Sequence, residues 1–154
     1  MQTKECFFRE KFPAQNTNNF CIFETFLFTV LANFHCFFFD MTPIETFPNP
    51  APKGRRYTIS HSNPEFTSVC PKTGLPDFGT ITVKYIPDET CIELKALKYY
   101  FLDFRNKGIF YEAVTNQILD DLVAACNPLE MEIIAEWMPR GGISSVIVAS
   151  HKRV

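Results

Sequence analysis

The sequence predicts an α+β domain in which two helices cover one face of an antiparallel sheet. Two segments, Thr80 to Tyr85 and Leu129 to Trp137, carry the two-residue period of half-buried strands. Between them, Glu93 to Phe104 and the stretch after Gly108 space their apolar residues as helices do. Near the end, Pro139-Arg140-Gly141-Gly142 separates two strand-like runs with turn residues, which makes them a hairpin. The predicted order is strand, strand, helix, helix, strand, strand.

Each element has a local reason. Seven of the 11 Pro fall between Pro43 and Pro76, so this region is expected to be extended and turn-rich, with one strand at Arg56 to His61 and little core. Thr80-Ile81-Thr82-Val83-Lys84-Tyr85 alternates polar with apolar and β-branched residues, and Pro87-Asp88-Glu89 ends it. In the first helix Leu94, Ala96, Leu97, Tyr100, Phe101 and Phe104 fit the helical period, while Lys95 and Lys98 share one face. The second helix is expected to bury Phe110, Val114, Ile118 and Leu122 and to stop at Asn127-Pro128. Leu129, Met131, Ile133, Ala135 and Trp137 then alternate with Glu130, Glu132, Ile134 and Glu136, and the return strand runs from Ile143 to Ser150. Two helices cover only one sheet face, so the other face and the edges predict self-association.

Composition bounds the function. Eleven of the 17 Phe lie in residues 1–40, where no regular period is sustained. Translation of an AT-rich upstream region would give such a stretch, so residues 1–40 are read as an extension, with a mis-set start suspected and the domain expected at 41–154. Phe20 to Phe39 is apolar, but Glu24, Asn33 and His35 interrupt it and no basic cluster flanks it, so no membrane span is expected. A secretory signal is not expected either. With 15 Lys plus Arg against 17 Asp plus Glu and no basic run, nucleic acid is not an expected partner. Six scattered Cys without a CxxC pair read as reduced thiols in a cytoplasmic protein. His35, His61 and His151 are not at ligand spacing, so no metal site is expected.

Cys70 is the residue best placed for chemistry. It sits between the first two strands, where Pro71, Gly74 and Pro76 can fold Asp77 back toward the thiol. A nucleophilic thiol needs a group that takes its proton or stabilises its thiolate, and an acid must protonate the atom that gains charge after attack; one carboxyl can serve both. Spacing alone leaves the alternative open, a small buried Cys and a turn Asp. Glu112 lies in the first turn of the second helix, beside its apolar stripe, where a carboxylate accepts paired N–H donors from a heterocycle or simply complements the helix dipole. Lys95, Lys98 and Arg140 form a modest basic set suited to phosphates, although neither a GxGxxG nor a P-loop is present.

Several separated blocks carry a resemblance. Pro64-Glu65-Phe66-Thr67-Ser68-Val69-Cys70-Pro71-Lys72-Thr73-Gly74-Leu75-Pro76-Asp77-Phe78 is followed by Tyr85-Ile86-Pro87-Asp88-Glu89, Glu93-Leu94-Lys95-Ala96-Leu97-Lys98-Tyr99, Phe104-Arg105-Asn106 and Pro139-Arg140-Gly141-Gly142-Ile143-Ser144. Together with Glu45-Thr46-Phe47-Pro48-Asn49-Pro50, they resemble the NADPH-dependent 7-cyano-7-deazaguanine reductases, the QueF family, over roughly Met41 to Ser150.

The resemblance implies a tunnelling fold, the ββααββ module, assembled as a ring homo-oligomer of pentamers or decamers with active sites between subunits. It implies reduction of the nitrile of 7-cyano-7-deazaguanine (preQ0) to 7-aminomethyl-7-deazaguanine (preQ1), a step toward queuosine in tRNA, with two NADPH per nitrile. By position, Cys70 would form a thioimide and Asp77 would supply a proton. Glu112, Tyr111, Phe110, Glu93 and Leu94 would bind substrate, and Lys95, Lys98, Arg140 and Gly141 would bind the cofactor. Tyr111 departs from the family pattern, where a His beside the anchoring Glu assists proton transfer; a phenol titrates far higher. Two other readings remain: a related amidinotransferase, against which Lys95 and Lys98 argue, and a non-catalytic purine- or pterin-binding subunit, against which Cys70 and Asp77 argue.

Overall fold

The computed structural model describes residues 42–153, so the expectations for residues 1–40 lie outside the described residues. Strand β1 (Thr46–Pro48) is followed by β2 (Ile59–Val69), β3 (Pro76–Ile86) and β4 (Thr90–Ile92). Helices α1 (Leu94–Leu102) and α2 (Tyr111–Cys126) come next, then β5 (Glu130–Arg140) and β6 (Ile143–Lys152). The main sheet has the order β2-β3-β5-β6, antiparallel throughout. The predicted ββααββ order is therefore present, with one addition: β1 and β4 form a separate two-stranded ribbon, pairing Phe47 with Cys91.

Helix α1 starts at Glu93, whose carboxylate accepts from the backbone N–H groups of Lys95 at 2.9 Å and Ala96 at 2.7 Å. Two of the donors that a helix start leaves without partners are thereby satisfied. Helix α2 ends at Asn127, which adopts φ 41° and so turns the chain into β5. The core lies between helices and sheet, with Ile81, Val83 and Ile133 from the strands against Leu97, Phe104, Val114, Ile118 and Leu122 from the helical segment, all buried.

Two expectations change. Phe110 caps α2 from outside its buried stripe and is 51% exposed, whereas Val114, Ile118 and Leu122 are fully buried. The first long strand covers Ile59–Val69 and contributes the buried Phe66, far beyond the predicted Arg56 to His61. Pro64 is tolerated there because the register shifts between Asn63 and Phe66, a bulge that omits it from the ladder, and because β2 lies at the edge of this sheet. The predicted hairpin is closed by Gly141 and Gly142 at φ 56° and 84°, with Arg140 paired to Ile143. Two successive positive φ angles are those of the tight turn whose twist suits a hairpin.

Candidate active site

The turn between β2 and β3 holds Cys70. Its N–H donates to Leu75 O at 2.9 Å, and its carbonyl accepts from Gly74 N at 2.9 Å, with Gly74 at φ 70° closing the loop. Just beyond it, Asp77 belongs to β3, directly across from Ser68, and is 3% exposed. A buried carboxylate requires donors, and it has two. Arg140 Nε lies 2.7 Å from Asp77 Oδ1, and the Tyr111 hydroxyl donates to the same oxygen at 2.7 Å. The Arg140 fork also reaches the carbonyls of Pro76 at 3.3 Å and Leu75 at 3.5 Å, tying the β5-β6 turn to the Cys70 loop.

Tyr111 is delivered from the other side of the loop. Val69 N–H donates to Lys107 O and accepts, through its carbonyl, the N–H of Ile109, each at 3.1 Å. That clamp holds the segment leading into α2 against the end of β2, so the first residue of the helix arrives beside Asp77. The ring of Tyr111 stacks on Trp137 of β5, with centroids 3.9 Å apart and planes 9° from parallel.

The electrostatics favour a thiolate. Hydrogen bonds from the side chains of Thr73 and Arg140, and from the backbone of Lys72 and Thr73, bring the Cys70 thiol down to about 7. Burial and the hydrogen bond to Asp77 push the Tyr111 phenol up to about 12, so it stays protonated and donates. The Cys70 contact, followed by the charge of Asp77, raises Arg140 further still.

Sequence-predicted residues thus fall into two groups. Cys70, Asp77, Tyr111 and Arg140 converge, with Gly141 in the adjoining turn and Phe110 and Glu112 exposed at the start of α2. Glu93, Leu94, Lys95 and Lys98 line a separate groove of about 710 Å³ with His61 and Phe101, and none of the first group lines it. Arg140, expected beside the lysines, sits with the thiol instead. Both lysines are exposed on one side of α1, whereas the Glu93 carboxylate is held below its ordinary range by the backbone N–H groups it caps. Thr73 and Trp137 join the site beyond the sequence-predicted residues. Thr73 lies inside the resembling block around Cys70 and was the readable signal; Trp137 looked like any core position of an alternating strand.

Among the described residues, no group of three or more His, Cys, Asp or Glu is placed to hold a metal, and no helix is long and apolar enough to cross a membrane.

Known proteins are similar to this chain. The family described as QueF-like protein matches residues 76–154. The chain is 66% identical over 109 residues to a protein of Chloroherpeton thalassium, a match that covers 71% of this chain and 93% of that protein. It is 68% identical over 108 residues to one of Chlorobium luteolum, covering 70% and 92%, and 64% identical over 110 residues to one of Chlorobaculum tepidum, covering 71% and 93%. All three are named NADPH-dependent 7-cyano-7-deazaguanine reductase. The fold matches the crystal structure of the apo archaeosine synthase QueF-Like with a TM-score of 0.58 at 22% identity, covering 68% of this chain and 98% of that one. Spread over nearly the whole of these relatives, the likeness establishes that the chain belongs to the QueF family.

Proposed function

We propose that the protein is an NADPH-dependent reductase that converts the nitrile of 7-cyano-7-deazaguanine to the aminomethyl group of 7-aminomethyl-7-deazaguanine, in queuosine biosynthesis. The observation that carries this reading is the Cys70 thiol, brought to about 7, with Arg140 linking it to the buried Asp77. A thiolate adds to a nitrile carbon without a metal or a leaving group. The thiol proton passes through Asp77 to the nitrile nitrogen, leaving a neutral thioimide whose carbon is bound to sulfur. Two NADPH, bound in turn, would each supply one hydride, and with two further protons these would give the amine and return the thiol.

The exposed ammonium groups of Lys95 and Lys98 in the groove fit a phosphate-bearing cofactor, and the exposed, apolar Leu94 beside them fits the deazaguanine ring. Glu112 and Phe110, exposed beside Tyr111, present a carboxylate and a ring to the deazaguanine, and Glu93 retains lone pairs for it at the groove. Gly141 leaves the turn beside Arg140 without a side chain. The thiol and the groove belong to different parts of one chain, which supports a ring homo-oligomer in which neighbouring copies complete the site. Ile143, Val146 and Val148, exposed on the edge strand β6, offer the surface for it. A cytoplasmic setting agrees with free Cys70, Cys91 and Cys126.

The test is NADPH oxidation by purified protein with 7-cyano-7-deazaguanine, beside Cys70→Ala. Two NADPH lost per aminomethyl product, and a silent variant, support the proposal. A mass adduct on Cys70 without NADPH loss would move the assignment to the amidinotransferase branch, and neither signal would leave a binding subunit.

A further inference from the structure

We propose that Trp137 is a positioning residue for this reaction, acting through Tyr111: its indole forms the plate on which the phenol lies, and so sets the phenol hydroxyl on Asp77. The inference rests on the reductase reading above. The indole and phenol are 3.9 Å apart and 9° from parallel, while the phenol oxygen is 2.7 Å from Asp77 Oδ1. A Tyr at the first position of a helix has free rotation about its side-chain bonds unless something packs on its ring, and here the flat face of Trp137 does so.

Room for the plate comes from Gly79. Gly79 pairs with Trp137 across the β3-β5 ladder, and a Cβ there would lie 2.8 Å from Glu136 O and 3.0 Å from the Trp137 indole. Without it, the indole lies over the bare backbone of β3, with Phe66 against its edge at 5.8 Å. Stability alone does not account for an indole at this position. Its Nε1–H is buried without a partner, a cost that a Phe of similar flatness would avoid. What the indole adds over a phenyl ring is stacking area under Tyr111.

Tyr111 faces Asp77, Arg140 and Cys70, so a phenol that swings away removes a donor from the carboxylate that handles the reacting proton. Glu112 and Phe110, which present the anchoring carboxylate and ring, stay in place. The effect belongs in kcat, and it should vanish once the hydroxyl is gone.

The experiment compares Trp137→Leu, Trp137→Phe, Tyr111→Phe and the Trp137→Leu/Tyr111→Phe double variant, each checked for folding by thermal melting. Expected are a roughly tenfold lower kcat for Trp137→Leu with KM for the nitrile within about twofold, a smaller loss for Trp137→Phe with stability kept or raised, and a double variant no slower than Tyr111→Phe. Losses that multiply in the double variant, or a change in KM alone, would overturn the proposal. So would a Trp137→Leu variant that matches the parent in kcat.

A second readout separates failure of the inference from failure of the reductase reading. Trp137 is the sole Trp of the chain, so its near-ultraviolet circular dichroism reports directly on the ring stacked against it. The band should persist in Tyr111→Phe and collapse in Tyr111→Leu, whether or not the parent oxidises NADPH. If both variants leave it unchanged, the plate does not hold Tyr111 and the inference fails by itself.

Discussion

Arg140 Nε lies 2.7 Å from Asp77 Oδ1, and the same guanidinium helps to draw the Cys70 thiol down. One cation thus lies beside two groups that repel each other as anions, the Cys70 thiolate and the Asp77 carboxylate, for which we propose attack on the nitrile and relay of its proton. The Gly141-Gly142 turn is what returns the chain tightly enough to leave Arg140 at the end of β5, facing the Cys70 loop.

The Arg140→Ala variant should therefore lose thiolate at neutral pH. With the guanidinium in place, alkylation of Cys70 by iodoacetamide should rise with pH about a midpoint near 7. Without it, Thr73 and two backbone groups remain, so the midpoint should move up toward an ordinary thiol and the rate at pH 7 should fall several-fold. An unchanged midpoint would show that the Thr73 loop suffices and that Arg140 serves only Asp77.

Glu93 makes α1 sensitive to acid. Its carboxylate accepts two backbone N–H groups, and its folded value is depressed below the ordinary 4.5. A depressed carboxylate contributes stability that is fully present above its unfolded value and is lost as pH falls through the folded one. Glu93→Gln should thus melt a few degrees lower than the parent at pH 7, and the difference should shrink as the pH is taken below about 4.5. A difference independent of pH would mean that the charge contributes nothing to the cap.

The helices and the last hairpin were legible because their signals are local. Val114, Ile118 and Leu122 recur once per turn, and Met131, Ile133, Ala135 and Trp137 alternate along β5, all of them buried. Strand β2 was not, because Pro64 argues against a ladder and only the bulge between Asn63 and Phe66 resolves the conflict. The ribbon of β1 and β4 has three residues on each strand, too few to show a period. At the site, a short Pro- and Gly-containing loop was the signal that Cys70 and Asp77 belong to one turn region, and it does lead from the end of β2 into β3. The approach of Arg140 and Tyr111 depends on the β3-β5 register and on the Val69 clamp, and neither leaves a mark in local sequence.

Gly79 is the position where a single methyl group should be most disruptive. Its added carbon would meet a backbone oxygen at 2.8 Å, which cannot rotate away, so β5 would have to shift. Gly79→Ala should cost about 1–3 kcal/mol, read as a lower midpoint of urea unfolding at unchanged slope. Because the same shift carries Trp137, kcat should fall as well. A variant as stable as the parent would show that the sheet gives way at no cost.

Ser68 poses the reverse case. It stands opposite Asp77 in the β2-β3 ladder and is fully buried, yet its hydroxyl has no hydrogen-bond partner. Asp77 takes its hydrogen bonds from Arg140 and Tyr111 instead. An unsatisfied buried hydroxyl carries its full desolvation penalty, of about 1–3 kcal/mol. Ser68→Ala removes that penalty and leaves a gap of one oxygen atom, so the two effects nearly cancel with the balance toward stability. The melting temperature should stay level or rise by a few degrees. If it falls by more than about 1 kcal/mol in equivalent stability, the hydroxyl has a partner, and a buried water between Ser68 and its polar surroundings becomes the physical explanation.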